Sequence, residues 1–193
     1  MSDIDERTIR DYFDGKAHLY PETIDEDDGR VMEILDIAGD LGGKTVLDIG
    51  CGKGRFLRIL GKHFPDLQLH GLDISDEMVK CCPENVIATA GSMHEINYPD
   101  SHFDFVYSVE VLEHSVDVLS ALNEMVRVLK PGGKFVIIDK QALCRGTVAI
   151  EPWEQWFDPE QVRFLLKDLV ATVNYRYVPY SIPGLFVSWY GTK

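Results

Sequence analysis

Apolar residues along this chain follow two rhythms. Through the middle they form short unbroken runs: Val46-Leu47 with Ile49, Leu67 and Leu69 with Leu72, Val86-Ile87-Ala88, Phe103 to Tyr107, and Phe135 to Ile138. Runs of this kind suit strands buried on both faces, as in a parallel sheet between two helical layers. Elsewhere apolar positions recur every three or four residues, the period of a helix with one buried face. Ile9, Tyr12 and Phe13 keep that spacing, as do Val31, Leu35 and Ala38 with Ile34 beside them. Later come Val118, Leu119, Leu122, Met125, Val126 and Leu129, then Val162, Leu165, Leu166 and Leu169.

Breakers mark the edges. Tyr20-Pro21 predicts an extended turn, Gly39 or Gly42-Gly43 ends the second helix, and Phe64-Pro65 ends the third. Lys130-Pro131-Gly132-Gly133 stops a helix and turns the chain. Asp158-Pro159-Glu160-Gln161 supplies an N-cap, a first-turn proline and a capping-box glutamine. Strands are expected at 45–49, 67–73, 85–89, 103–108 and 134–139, alternating with helices five times, and two more at 173–180 and 185–192 joined by Ile182-Pro183-Gly184. The expected fold class is therefore α/β, a Rossmann-like, mostly parallel sheet of seven strands with helices on both faces.

Ligands of such sheets bind beyond the carboxyl ends of the strands. Four loops lie at that edge: 50–54, 73–78, 91–94 and 108–115. In the first, Gly50-Cys51-Gly52-Lys53-Gly54 separates a strand from a helix opened by Arg55-Phe56. Glycines there let backbone approach a ligand, and the free N–H groups of the helix start face it. The same pattern also serves a plain tight turn. Asp73 ends the second strand, where a carboxylate can accept ribose hydroxyls. Ser75, Asp76 and Glu77 already supply the start of the next helix, which leaves Asp73 for the ligand.

Composition narrows the function. The chain has 193 residues, 45% hydrophobic and 26% charged, which supports one globular domain with a full core. Its formal charge of −13 works against binding a nucleic-acid backbone. Much of the acid lies near the start, at Asp3, Asp5, Glu6, Asp11, Asp14, Glu22, Asp25, Glu26, Asp27 and Asp28, and reads as a solvated surface. No apolar run is long enough to span a membrane, and no signal-peptide pattern opens the chain. Cys51, Cys81, Cys82 and Cys144 show no metal or disulfide spacing, so the expectation is a cytoplasmic protein with reduced thiols. The histidines form no metal set with Cys, Asp or Glu, and no metal is expected.

The residues now on view resemble a known family. VLDIGCGKGRF, GLDISDEMV and the stretch from Pro99 to Ile137 are similar to the class I S-adenosylmethionine-dependent methyltransferases, in particular the small-molecule, ubiquinone/menaquinone-type subfamily. The resemblance covers residues 45–139. It implies a final antiparallel strand, S-adenosyl-L-methionine as cofactor with S-adenosyl-L-homocysteine as product, and a small-molecule acceptor. By position it puts Asp48, Gly50, Cys51 and Gly52 around the methionine moiety, Asp73 on the ribose and Ile74 and Met78 against the adenine. Ser92 and Met93 would line the adenine edge, and Glu110 would come from the loop after the fourth strand. Many relatives carry Asp where Ser92 stands, so adenine recognition here leans more on backbone.

On this reading residues 1–41 form a helical cover, 45–139 the cofactor-binding core, and 140–193 a substrate-side loop, helix and last two strands of a single domain. A nicotinamide-binding domain is the main rival. It needs glycine or alanine where Arg55 stands, and Asp48 would face its diphosphate with like charge. A cofactor-binding accessory protein without transferase activity is a further alternative. His114 is the first candidate for a general base, if the acceptor needs one, with His18 and Tyr20 behind it. Trp153 and Trp156 either wall the acceptor pocket or pack their loop onto the core.

Overall fold

The computed structural model describes residues 5–193; Asp3 of the acidic opening lies outside them. The strands are β1 Thr45–Ile49, β2 Gln68–Asp73, β3 Val86–Ala90, β4 Phe103–Val109, β5 Leu129–Lys140, β6 Thr172–Tyr177 and β7 Phe186–Thr192. They make one sheet in the order β3-β2-β1-β4-β5-β7-β6. β1 to β5 run parallel, and β7 lies antiparallel between β5 and β6. The helices are α1 Glu6–Lys16, α2 Gly29–Ala38, α3 Arg55–His63, α4 Asp76–Val79, α5 Val118–Val128 and α6 Pro159–Leu166.

Side chains alternate across the sheet and so feed two cores. Val46, Phe105, Tyr107, Val136 and Ile138 pack with Ile34 of α2 and Leu57 and Leu60 of α3. Leu47, Val106, Ile137, Val187 and Trp189 turn to the other face, against Leu122 and Met125 of α5 and Val162 and Leu166 of α6. Burying each such side chain contributes about 1.5–3 kcal/mol. The α/β fold with helices on both faces and an antiparallel last strand is the one the apolar rhythm and the resemblance predict.

Two local expectations change. The Lys130-Pro131-Gly132-Gly133 stretch does not separate α5 from β5 as a free turn. Phe103 pairs with Leu129 and Phe105 with Lys134, so residues 130–133 form a bulge inside β5. Gly132 takes φ +75° there, and its N–H bonds to the Lys193 carbonyl at 2.8 Å. Secondly, helix and strand do not alternate five times. Residues 91–102 join β3 to β4 by turns alone, because Gly91 and the Tyr98–His102 turn residues leave no room for an apolar helical face. What positions the site is the reversal of strand order: β1 has β2 on one side and β4 on the other. The loops leaving β1 and β4 must part there and open a crevice.

Candidate active site

The crevice is a cavity of about 330 Å³ between the glycine loop, the end of β2 and the loop after β4. Gly50 has φ +73°, and a Cβ on it would stand 2.1 Å from Val111. Gly52 has φ +53°, and a Cβ there would meet nothing within 4 Å. The first glycine lets two loops touch, and the second leaves the cavity floor open to a ligand.

Asp48 ends β1 at 1% exposure, on the cavity wall, and its Oδ2 has no hydrogen-bond partner. Tyr107, its neighbour on β4, is likewise left with an unpaired hydroxyl. Burial pushes the Asp48 carboxyl well above its ordinary range; the Tyr107 hydroxyl beside it opposes the shift, and Cys82 and Asp73 nearby add to it. A buried carboxylate with a free oxygen is costly until a donor or cation meets it. Asp73 holds the loop in shape: its Oδ2 accepts the Gly52 N–H at 2.7 Å and its Oδ1 the Ser75 N–H at 2.9 Å. Ser75 caps α4 by accepting from the Met78 N–H at 3.1 Å. Burial raises the Asp73 carboxyl, which these backbone donors oppose.

Glu110 follows β4 with φ +58°, a left-handed conformation rare outside glycine. Its carboxylate pairs with Arg30 and lies 3.8 Å from Arg55 and 3.7 Å from Lys140. Beside it sits a buried network. Lys140 Nζ is 2.5 Å from Glu113 Oε1 and 3.6 Å from Glu154 Oε2. Burial and the neighbouring Asp139 push the Glu113 carboxyl up, against the pull of Lys140, and its Oε2 makes no hydrogen bond. Burial opposes the Lys140 charge, yet Glu113, Glu110 and Glu154 hold its ammonium above the usual lysine range.

The structure thus brings Asp48, Gly50, Cys51, Gly52, Asp73, Met78, Glu110 and His114 to one cavity. It does not bring Ile74, Ser92 or Met93 there. The Ile74 carbonyl accepts from Arg10 at 3.1 Å, and Ser92 Oγ donates to Glu6, both on α1. Met93 packs with Ile49, Val111 and Leu112 in a small apolar gap. Cys51 contributes backbone, for its thiol is buried 4.0 Å from that of Cys82.

His114 is placed unlike a general base. Its Nδ1 accepts the Trp153 N–H at 3.1 Å, so the neutral ring carries its proton on Nε2 and has no free lone pair. Burial lowers its pKa to about 4, which weakens it further as a base near neutral pH. His18 and Tyr20 lie on the cover; Tyr20 lines the cavity and burial raises its phenol to about 12. Trp156 packs into the core with its N–H on Glu154 at 3.1 Å, whereas Trp153 stands at the cavity edge against Tyr12.

Glu113, His114 and Glu154 have ligand atoms within 4.8 Å of one another, a grouping the sequence did not reveal. Lys140 already supplies their cation. Arg30, Lys140, Glu113, Glu151 and Glu154 are the site residues that sequence reasoning missed. Arg30 left a signal: it stands four before Ile34 and eight before Ala38, on the apolar stripe of α2, at 7% exposure.

Comparison with known proteins finds likenesses to this geometry. A family model described as "Methyltransferase domain" matches residues 47–137. The core of this chain is thus similar to methyltransferase domains. The 2-methyl-6-phytyl-1,4-hydroquinone methyltransferase of Synechocystis is 36% identical over 119 residues, 58% of this chain and 37% of that protein. The ajmaline N-methyltransferase of Rauvolfia serpentina is 32% identical over 133 residues, 64% of this chain and 44% of that protein. The chain therefore spans less than half the length of either relative. The fold of this chain is shared with a SAM-dependent methyltransferase structure from Aquifex aeolicus, TM-score 0.69 at 24% identity, covering 97% of both chains.

The cavity fits S-adenosylmethionine on its own features. An unpaired buried carboxylate at Asp48 can meet an ammonium or sulfonium, Gly52 leaves the floor bare, and the Asp73 carboxylate lines the cavity at the end of β2. A dinucleotide's diphosphate would meet Asp48 with like charge.

Proposed function

We propose that this protein transfers a methyl group from S-adenosylmethionine to a small-molecule acceptor. The unpaired Oδ2 of Asp48, buried at the switch point beside the glycine loop, is the observation that carries this reading. Bound S-adenosylmethionine supplies a methyl group on a positively charged sulfur, open to in-line attack. This chain's residues then bind, align and exclude water. Asp48 and the backbone of Gly50 to Gly52 would hold the amino-acid end, Asp73 the ribose hydroxyls, and Met78 the base. Tyr12, Phe13 and Tyr20 of the cover, with Glu110, Glu113, Lys140, Glu151 and Glu154, would face the acceptor. Alignment of this kind supplies roughly 7–11 kcal/mol of a displacement barrier.

The likeness to the hydroquinone enzyme of Synechocystis supports a place near the ubiquinone/menaquinone-type subfamily. The family model matches residues 47–137, which leaves the acceptor to the cover and the 140–157 loop.

Titration calorimetry with S-adenosylmethionine, S-adenosylhomocysteine and NADH tests the reading. Heat from the first two and none from NADH is expected; binding of NADH alone overturns it. Asp73→Ala should weaken S-adenosylhomocysteine binding by about tenfold or more while the circular dichroism spectrum stays native, since a buried charge-assisted bond contributes about 1.5–3 kcal/mol. Unchanged affinity removes Asp73 from the site.

A further inference from the structure

The wall that faces the acceptor is aromatic and acidic. Tyr12, Phe13 and Tyr20 come from the cover, and Glu151 and Glu154 from the loop after β5. We infer that the acceptor is an amine with an apolar body, held as its ammonium between the Tyr12–Phe13–Tyr20 rings and the Glu151 and Glu154 carboxylates. This rests on the methyl-transfer reading and narrows it.

Charge balance points this way. Glu110 is answered by Arg30 and Arg55, and Glu113 shares Lys140 with Glu154. Glu151 has the Tyr12 hydroxyl and the half-exposed Lys16, 3.7 Å away. At the end away from Arg30 and Arg55, three carboxyls (Glu113, Glu151 and Glu154) meet two ammoniums (Lys16 and Lys140), so it favours a cation and opposes an anionic acceptor. The protein's own amines show what the wall binds. Lys16 Nζ sits 3.9 Å from the centre of the Tyr12 ring beside Glu151, and Lys140 Nζ lies 5.8 Å from the Trp156 ring beside Glu154. Each joins an aromatic face to a carboxylate, the pairing that recognises ammonium ligands.

Tyr20 reports the field on a phenol. Burial first, then Tyr12, Glu151, Glu154 and Glu110, push its hydroxyl up to about 12. An acceptor phenol or quinol beside it would meet the same opposition to ionising, and His114 has no free lone pair to relieve it. An amine needs no base in the displacement itself. Having given its ammonium proton to water at the partly exposed Glu151, the nitrogen uses its lone pair to form the N–C bond. The C–S bond breaks, its electron pair stays on sulfur as a neutral thioether, and the methylated ammonium releases a proton to solvent. Room for the apolar body adjoins the site: a wider cleft of about 990 Å³ shares His114 and Glu154 with the cavity and is lined by Trp153, Phe157 and Leu165.

The test titrates phenethylamine, 2-phenylethanol, 3-phenylpropionate and hydroquinone into protein saturated with S-adenosylhomocysteine, whose own binding is measured first. The amine should bind about tenfold tighter than the alcohol, with the carboxylate weakest. Methyl-labelled S-adenosylmethionine should then leave its label on nitrogen. Glu151→Gln, which keeps the Tyr12 contact, should erase most of that preference and leave S-adenosylhomocysteine affinity within about twofold. If S-adenosylhomocysteine binds but the amine gains nothing over the alcohol, or hydroquinone or the carboxylate is preferred, the amine assignment falls and methyl transfer stands. If S-adenosylhomocysteine does not bind, both fall.

Discussion

Asp48 and His114 are each explained by one unshared atom. With its Oδ2 unpaired and its pKa raised by burial, Asp48 binds a proton more tightly in the folded chain than in the unfolded one. Its contribution to stability is therefore greatest below the ordinary carboxylate range and declines as pH rises above it. Asp48→Asn should raise the melting midpoint of the ligand-free protein at neutral pH, by about 2–4 °C for each kcal/mol recovered, and weaken S-adenosylmethionine binding. A lower midpoint in thermal scans at pH 7 would contradict this account of Asp48. His114 is the reverse case, a ring whose lone pair is already spent on Trp153. His114→Gln should lower turnover by less than about tenfold, since an amide oxygen can take the Trp153 N–H, whereas loss of a general base costs about 10²–10⁴. A hundredfold fall with cofactor affinity intact would restore the base.

At the scale of elements, α1 is the piece that completes the site and the one least committed to the core. Ile9 is its one buried residue. It is held by polar contacts: Arg10 on the Ile74 carbonyl, Asp14 on Ser75 at 2.6 Å, and Glu6 on Ser92 and on His94 at 2.7 Å. With a single residue in the core, α1 gives up little apolar burial on opening and so opens at low cost. Hydrogen exchange should find the amides of residues 6–16 far less protected than those of β1 and β4, and more protected once S-adenosylhomocysteine fills the cavity behind Tyr12 and Phe13. Equal protection with and without ligand would reduce α1 to a brace. The same contacts explain why Ile74 and Ser92 stand away from the cavity.

For the molecule as a whole, charge sets what can approach. A formal charge of −13 works against binding a phosphate backbone. Neither tRNA nor duplex DNA should be retarded by the protein in a mobility-shift gel at about 50 mM salt, where non-specific binding is strongest. A shifted band would overturn the small-molecule assignment. Among the described residues no helix is long and apolar enough to cross a membrane.

How much of this was legible depends on range. Local order was written in the chain: apolar runs set the strands, and caps such as Asp28, Ser75, Asp117 and Asp158 set the helix starts. The glycine loop and Asp73 were legible too, because backbone approach and a strand-end carboxylate each need particular residues at particular spacing. The acceptor wall was not. Tyr12 meets Glu151 across 139 positions and Arg30 meets Glu110 across 80, pairings that periodicity cannot encode. Nor could sequence tell that His114 spends its lone pair on Trp153, or that Lys140 fills the space between Glu113 and Glu154. Segment-scale preferences determined the sheet and the crevice at its carboxyl edge; which charges line that crevice was decided only when folding desolvated distant residues together.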